Sequence, residues 1–207
     1  MLRNHVARRC RDSFRQSRER RQRAIQEDQD STYGEEIQHW VRESHGPLPV
    51  GAASAPLECR EVSRFEKNGY RIENHLFTSF PGWEVNATVY RPSDFDPPFP
   101  AIVVPVGHSG KQFESYQLPC QFFARCGFLT ITFDPPGQLS EKQPGNDHFR
   151  DGVRPYLFGQ TSNRYFVADA LRCIDYLETR DDANLSAGVA MTGVSGGGTT
   201  TLFANLI

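Results

Sequence analysis

The chain has 207 residues, 38% hydrophobic and 12% aromatic, with a formal net charge of -2, so it holds enough apolar material for one ordinary domain with a real core. No apolar run approaches the length of a membrane span, and the N-terminus lacks the apolar stretch of a secretory signal. Five cysteines without a C-x-x-C pair argue against a disulfide framework or a zinc site and for reduced thiols in a cytoplasmic protein.

Residues 1–24 carry nine arginines against Asp12 and Glu19, which leaves the rest of the chain acidic. Leu2, Val6, Cys10 and Phe14 are spaced four apart and predict a helix with a thin apolar seam. A solvated helical extension, a basic patch for anionic partners and an Arg-rich targeting helix all fit that pattern. Ile37, Trp40 and Val41 predict a second, short helix. Residues 1–45 therefore form a helical extension, and 46–69, with Pro47, Pro49 and Pro56, read as a linker or extended arm.

The folded domain is expected over 70–207. Tyr70 to Phe80 and Trp83 to Arg91 predict an antiparallel hairpin about Pro81-Gly82. Ala101 to Val106 is a continuous apolar strand, Phe113 to Cys126 a helix closed by Gly127, and Phe128 to Phe133 another buried strand. A long polar loop is expected from Asp134 to about Gln160. Val167, Ala170, Leu171, Ile174 and Leu177 then mark one face of a helix over 163–180. A hairpin followed by strand, helix, strand, helix, strand describes an α/β fold with a mostly parallel sheet covered on both faces.

The last strand leads into the most informative stretch. Val189-Ala190-Met191 predicts a short buried strand, Gly193-Val194-Ser195-Gly196-Gly197 matches G-x-S-x-G, and Thr199 to Leu206 can continue as a helix. A strand, sharp turn and helix with that motif lifts a serine hydroxyl above a sheet edge, where it can act as a nucleophile. A dinucleotide fingerprint would need glycine in place of Ser195, and a phosphate-binding P-loop would need a lysine before the threonines. No cluster of His, Cys and carboxylates suggests a metal, and no cofactor is expected.

Phe77-Thr-Ser-Phe-Pro-Gly82, Gly107-His-Ser-Gly-Lys111, Asp134-Pro-Pro-Gly-Gln138, Ala170 to Arg180 and Gly193 to Thr199 resemble bacterial α/β-hydrolases of the acetyl xylan esterase type. The resemblance covers about Trp40 to Ile207 and extends to dienelactone hydrolases and prolyl-peptidase catalytic domains. After Gln138 such sequences continue Gly-Glu, whereas this chain has Leu139-Ser140-Glu141. The resemblance implies the first five strands of that fold, the nucleophile following the fifth. It further implies a serine esterase acting on small-molecule or carbohydrate esters, with neither nucleic acid nor membrane as a partner.

In such a fold Ser195 is the catalytic nucleophile, and the backbone N–H of Gly196 is one donor to the oxyanion of the tetrahedral intermediate. The second donor comes from the loop after the third strand. By motif position it is the amide of His108, with Ser109 as the alternative. Gly107, Asp134 and His148 are pocket candidates. Lys111 is expected to stay solvated, Asp134 to fix the Pro135-Pro136 turn, and Arg172 and Asp175 to pair at the surface or between helices. The triad order is Ser, then acid, then His, yet all six histidines precede Ser195. The His108 side chain is therefore not the expected base. The chain reads as the N-terminal part of a longer hydrolase, close to inactive and poorly covered by itself, or else as an inactive remnant.

Overall fold

A computed structural model describes residues 2–27, 32–52, 54–137 and 148–207. The chain divides into two compact units, Met1–Ser44 and His45–Ile207. The first contains α1 (Leu2–Glu27) and most of α2 (Thr32–His45). Along α1 the seam is thin, and Phe14 is 74% exposed.

The second unit is built on one mixed sheet. Its strands are β1 (Arg60–Lys67), β2 (Tyr70–Phe80), β3 (Trp83–Pro92), β4 (Phe99–Pro105), β5 (Leu129–Asp134), β6 (Ala183–Asn184) and β7 (Ala190–Met191). Strands β1, β2 and β3 are antiparallel neighbours, β3 pairs β5 antiparallel, and β5 pairs β4 in parallel. Both β6 and β7 pair β4 in parallel, at its beginning and at its middle, so they are two pieces of one ribbon beyond β4. The parallel steps from β4 to β5, and from β5 over β4 to β6 and β7, require crossovers, which the helices supply.

Side-chain alternation along the strands makes two cores. Ala101 and Val103 of β4 face one side with Val85, Ala87, Val89, Leu129, Ile131 and Phe133, and helix α5 (Asn163–Glu178) covers them through Ala170, Cys173, Tyr176 and Leu177. Ile102 and Val104 face the other side, under Cys120 and Ala124 of helix α3 (Glu114–Arg125). A strand buried on both faces must be apolar at consecutive positions, and the run from Ala101 to Val104 meets that demand. Helices on both faces of a partly parallel sheet are the expected α/β architecture, an incomplete α/β-hydrolase fold.

Three local features depart from the sequence reading. Strand β1 lies inside the stretch taken as an arm. Its residues, Arg-Glu-Val-Ser-Arg-Phe-Glu-Lys, are mostly exposed, so no burial pattern announces it, and their charge suits a sheet edge that must not recruit a neighbour. Helix α4 (His148–Leu157) interrupts the polar loop, and its Gly152 and Pro155 disguise it. Arg172 is no surface residue. At 7% exposure it donates to Thr78 O at 2.7 Å and to Ala55 O while pairing Asp175, and so ties α5 to β2 and to the segment before β1.

Candidate active site

Thr192 continues the β7 pairing by donating its N–H to Val103 O at 3.1 Å, and the chain then turns abruptly. Ser195 occupies the turn at φ 59°, ψ -124°, and helix α6 (Gly196–Ala204) starts at the next residue. Non-glycine residues seldom hold a positive φ, and those that do are held there by their surroundings, often at functional positions. Here the constraint is the close packing of the turn on β4. A Cβ on Gly193 would lie 2.5 Å from the Gly197 carbonyl carbon and 2.9 Å from Pro105 O, and one on Gly197 would overlap Pro105 O. Glycine at both positions lets the backbones touch.

The threonines that follow have a local explanation. Thr200 Oγ1 donates to Gly196 O at 3.0 Å and Thr201 Oγ1 to Gly197 O at 2.9 Å. Hydroxyls that return to the carbonyl four residues back let such residues continue a helix.

The loop after β4 meets this turn. A Cβ on Gly107 would stand 3.1 Å from Ser195 Cβ and 3.0 Å from Val194 O, so this glycine too is set by close approach. Val106, Gly107, His108, Pro135, Phe166, Ser195 and Gly196 line one cleft of about 240 Å³. Four residues singled out from sequence, Ser195, Gly196, His108 and Gly107, therefore share one cavity. Ser109 is half-buried and does not line it.

Asp134 has another employment than the proline turn. It is 3% exposed, accepts the Lys111 N–H at Oδ1 (2.8 Å) and pairs with Lys111 Nζ at Oδ2 (2.7 Å). Lys111 Nζ also donates to Asn86 O at 3.2 Å, and its side chain is 13% exposed, which corrects the expectation of a solvated lysine. His148 opens α4, but its side chain lies outside what the structure describes. Three cleft residues escaped the sequence reading as site residues: Val106, just after β4, Pro135, just after β5, and Phe166, within α5. The apolar period of α5 was a usable signal for its core face and none for the cleft side.

Among the described residues no group of three His, Cys, Asp or Glu side chains could hold a metal, and no helix is long and apolar enough to cross a membrane.

The sheet order, the crossovers and the turn at Ser195 define an α/β hydrolase fold in part. No protein-family model matches the sequence, and no curated protein matches it. Solved structures are similar in fold. A methylesterase superposes with TM-score 0.70 at 23% identity, covering 84% of this chain and 38% of its own. A Bacteroides fragilis protein provisionally assigned as an acetyl xylan esterase gives TM-score 0.66 at 16% identity, over 84% of this chain and 50% of its own. Acetyl xylan esterase 1 from Thermoanaerobacterium gives 0.60 at 18% identity, over 80% and 58%. The fold is thus the one acetyl xylan esterases and related esterases share, and this chain spans roughly half the length of those structures.

Proposed function

We propose that this chain carries the nucleophile and the oxyanion donors of a serine hydrolase that acts on carboxylic esters, with acetyl esters of carbohydrates or other small alcohols as substrates. Ser195 in its positive-φ turn between β7 and α6, facing the loop after β4, is the observation that carries the reading. In this role the G-x-S-x-G turn is a nucleophile elbow. Ser195 Oγ attacks the acyl carbon, and the oxygen that becomes negative is held by the backbone N–H groups of Gly196 and His108. The alkoxide leaves with a proton, and water then releases the acyl group from Ser195.

Three observations support it. The cleft of about 240 Å³ has room for a small acyl group. Gly196 opens α6, so its N–H is one of the first-turn donors that no intrahelical carbonyl takes. Solved structures similar in fold are described as esterases. A hydroxyl needs a base to lose its proton, and no histidine follows Ser195 in these residues. The proposal assigns roles to Ser195, Gly196 and His108 alone.

The test is hydrolysis of p-nitrophenyl acetate by the protein at its natural length. Ser195→Ala is expected to lower kcat by about 10⁴-fold or more, and a fluorophosphonate should label Ser195 and no other residue. Unchanged hydrolysis in Ser195→Ala would sink the assignment.

A further inference from the structure

A second pocket adjoins the serine cleft. It has a volume of about 320 Å³, shares Phe166 with the cleft, and begins at Pro136 where the cleft ends at Pro135. Its wall is aromatic. Phe80 and Trp83 stack with centroids 6.0 Å apart and planes within 5°, and Tyr165 meets Phe80 at 5.8 Å. The Trp83 indole N–H donates to Asp169 Oδ2 at 3.2 Å, and an indole has one donor, so toward a ligand Trp83 offers ring surface alone.

Three polar side chains interrupt that wall, and each has capacity to spare. Arg154, in the last turn of α4, is exposed, and among the described residues no carboxylate pairs with it. Ser162 stands at the N-cap of α5 but makes no capping hydrogen bond, its backbone lying at φ -63°, ψ -25° instead of the extended conformation a capping serine takes. Gln160 adds an amide that can both donate and accept.

The combination is selective. Flat aromatic faces gather the C–H face of a ring by area burial and dispersion. A hydroxyl and an amide at the margin match ring hydroxyls. An exposed guanidinium fork matches a carboxylate, which it can hold through two parallel hydrogen bonds. We propose that this pocket binds a sugar acid, a carbohydrate ring bearing a free carboxylate, as the part of the ester that stays outside the Ser195 cleft. Its placement in the substrate rests on the esterase reading above, whereas binding itself does not.

The test reads binding, so it does not depend on turnover. Xylotriose with and without one glucuronate branch is titrated into the protein at its natural length, and the ¹H–¹⁵N signal of the Trp83 indole is followed. The branched trimer is expected to bind about tenfold more tightly at low salt, and the difference should shrink as ionic strength rises, because Arg154 is exposed. Arg154→Gln should bring the two trimers level, and Ser195→Ala should leave the preference intact. Equal affinities in the parent, or a preference that survives Arg154→Gln, would overturn the proposal. So would tighter binding of 4-hydroxybenzoate than of either sugar, which would make the pocket an aromatic-acid site. Loss of the preference with Ser195-dependent hydrolysis retained would remove only the pocket assignment. The reverse pattern would remove only the esterase reading.

Discussion

Lys111 and Asp134 form a two-point clasp: the lysine backbone N–H reaches Oδ1 at 2.8 Å and its Nζ reaches Oδ2 at 2.7 Å. The clasp fastens the loop after β4, which carries His108, to the end of β5, and Nζ adds a third tie to Asn86 O on β3. Three strands thus fix the loop that faces Ser195. Breaking a largely buried pair strands the remaining charge. Lys111→Met is expected to cost about 2–4 kcal/mol in urea unfolding. A double-mutant cycle with Asp134→Asn should return a coupling of about 1–3 kcal/mol. Additive losses would mean that solvent screens the pair and that the loop is held by something else.

The glycines of the turn give a steric prediction. Gly197→Ala sets a methyl group against Pro105 O, a backbone atom that cannot rotate away, and should cost about 3 kcal/mol or more. Gly152 makes the contrast, since a Cβ there meets nothing within 4 Å inside α4. Gly152→Ala should be neutral or stabilising by up to about 1 kcal/mol. Thermal unfolding of both variants checks the pair, and a tolerated Gly197→Ala would mean that the turn does not pack on β4 as described.

Acid sensitivity follows from a charge cluster on the face of the sheet that α5 covers. Glu73, 2% exposed, accepts from Arg180 Nη1 at 2.7 Å and from Arg71 Nε at 2.8 Å, with the His75 ring 3.6 Å away. Burial pushes its carboxyl up, but His75, Arg180 and Arg71 together outweigh burial and hold it well below its ordinary value of 4.5. Asp182 is lowered too: burial opposes, and its bonds from Arg180 and Arg91 prevail. A carboxylate depressed by folding contributes stability above its unfolded pKa and loses it as the pH falls. Unfolding free energy should therefore decline below about pH 4.5. Glu73→Gln should be less stable at pH 7 and show a shallower acid decline. An unchanged slope would clear Glu73 of that role.

The cysteines separate into two groups. Cys10, Cys59 and Cys126 are exposed, whereas Cys120 and Cys173 are fully buried. Burial pushes the Cys120 thiol up to about 12 and the Cys173 thiol well above its ordinary range. Thiolate is the reactive form. A maleimide should label three cysteines in the native protein and all five in urea, read by mass. Cys59 should be the slowest of the three, since burial raises its thiol more than Arg180 lowers it. Native labelling of Cys173 would contradict the packing of α5 on the sheet.

Much of the fold was legible because its signals are local. The apolar run from Ala101 to Val104, the alternation through Val85, Ala87 and Val89, and the period of Val167, Ala170, Ile174 and Leu177 each describe an element by the faces it must bury. Strand β1 and helix α4 carried no such signal. The first is an edge strand held by pairing with β2, and the second contains a glycine and a proline. For Lys111 and Asp134, 23 positions apart, sequence offers two ordinary polar residues and no hint of the clasp.

By itself the sequence determined what its spacing encodes: two apolar faces for β4, a turn of glycines around Ser195, and a loop at Gly107-His108 that could face it. Each is a statement about neighbours along the chain, where steric demands act directly. The tertiary structure alone decided that the Gly107 loop packs against Ser195, that Asp134 clasps Lys111, and that Phe80, Trp83 and Tyr165 close a pocket with Arg154. Those contacts join residues tens of positions apart, and they exist only once the sheet has brought its strand ends to a common edge.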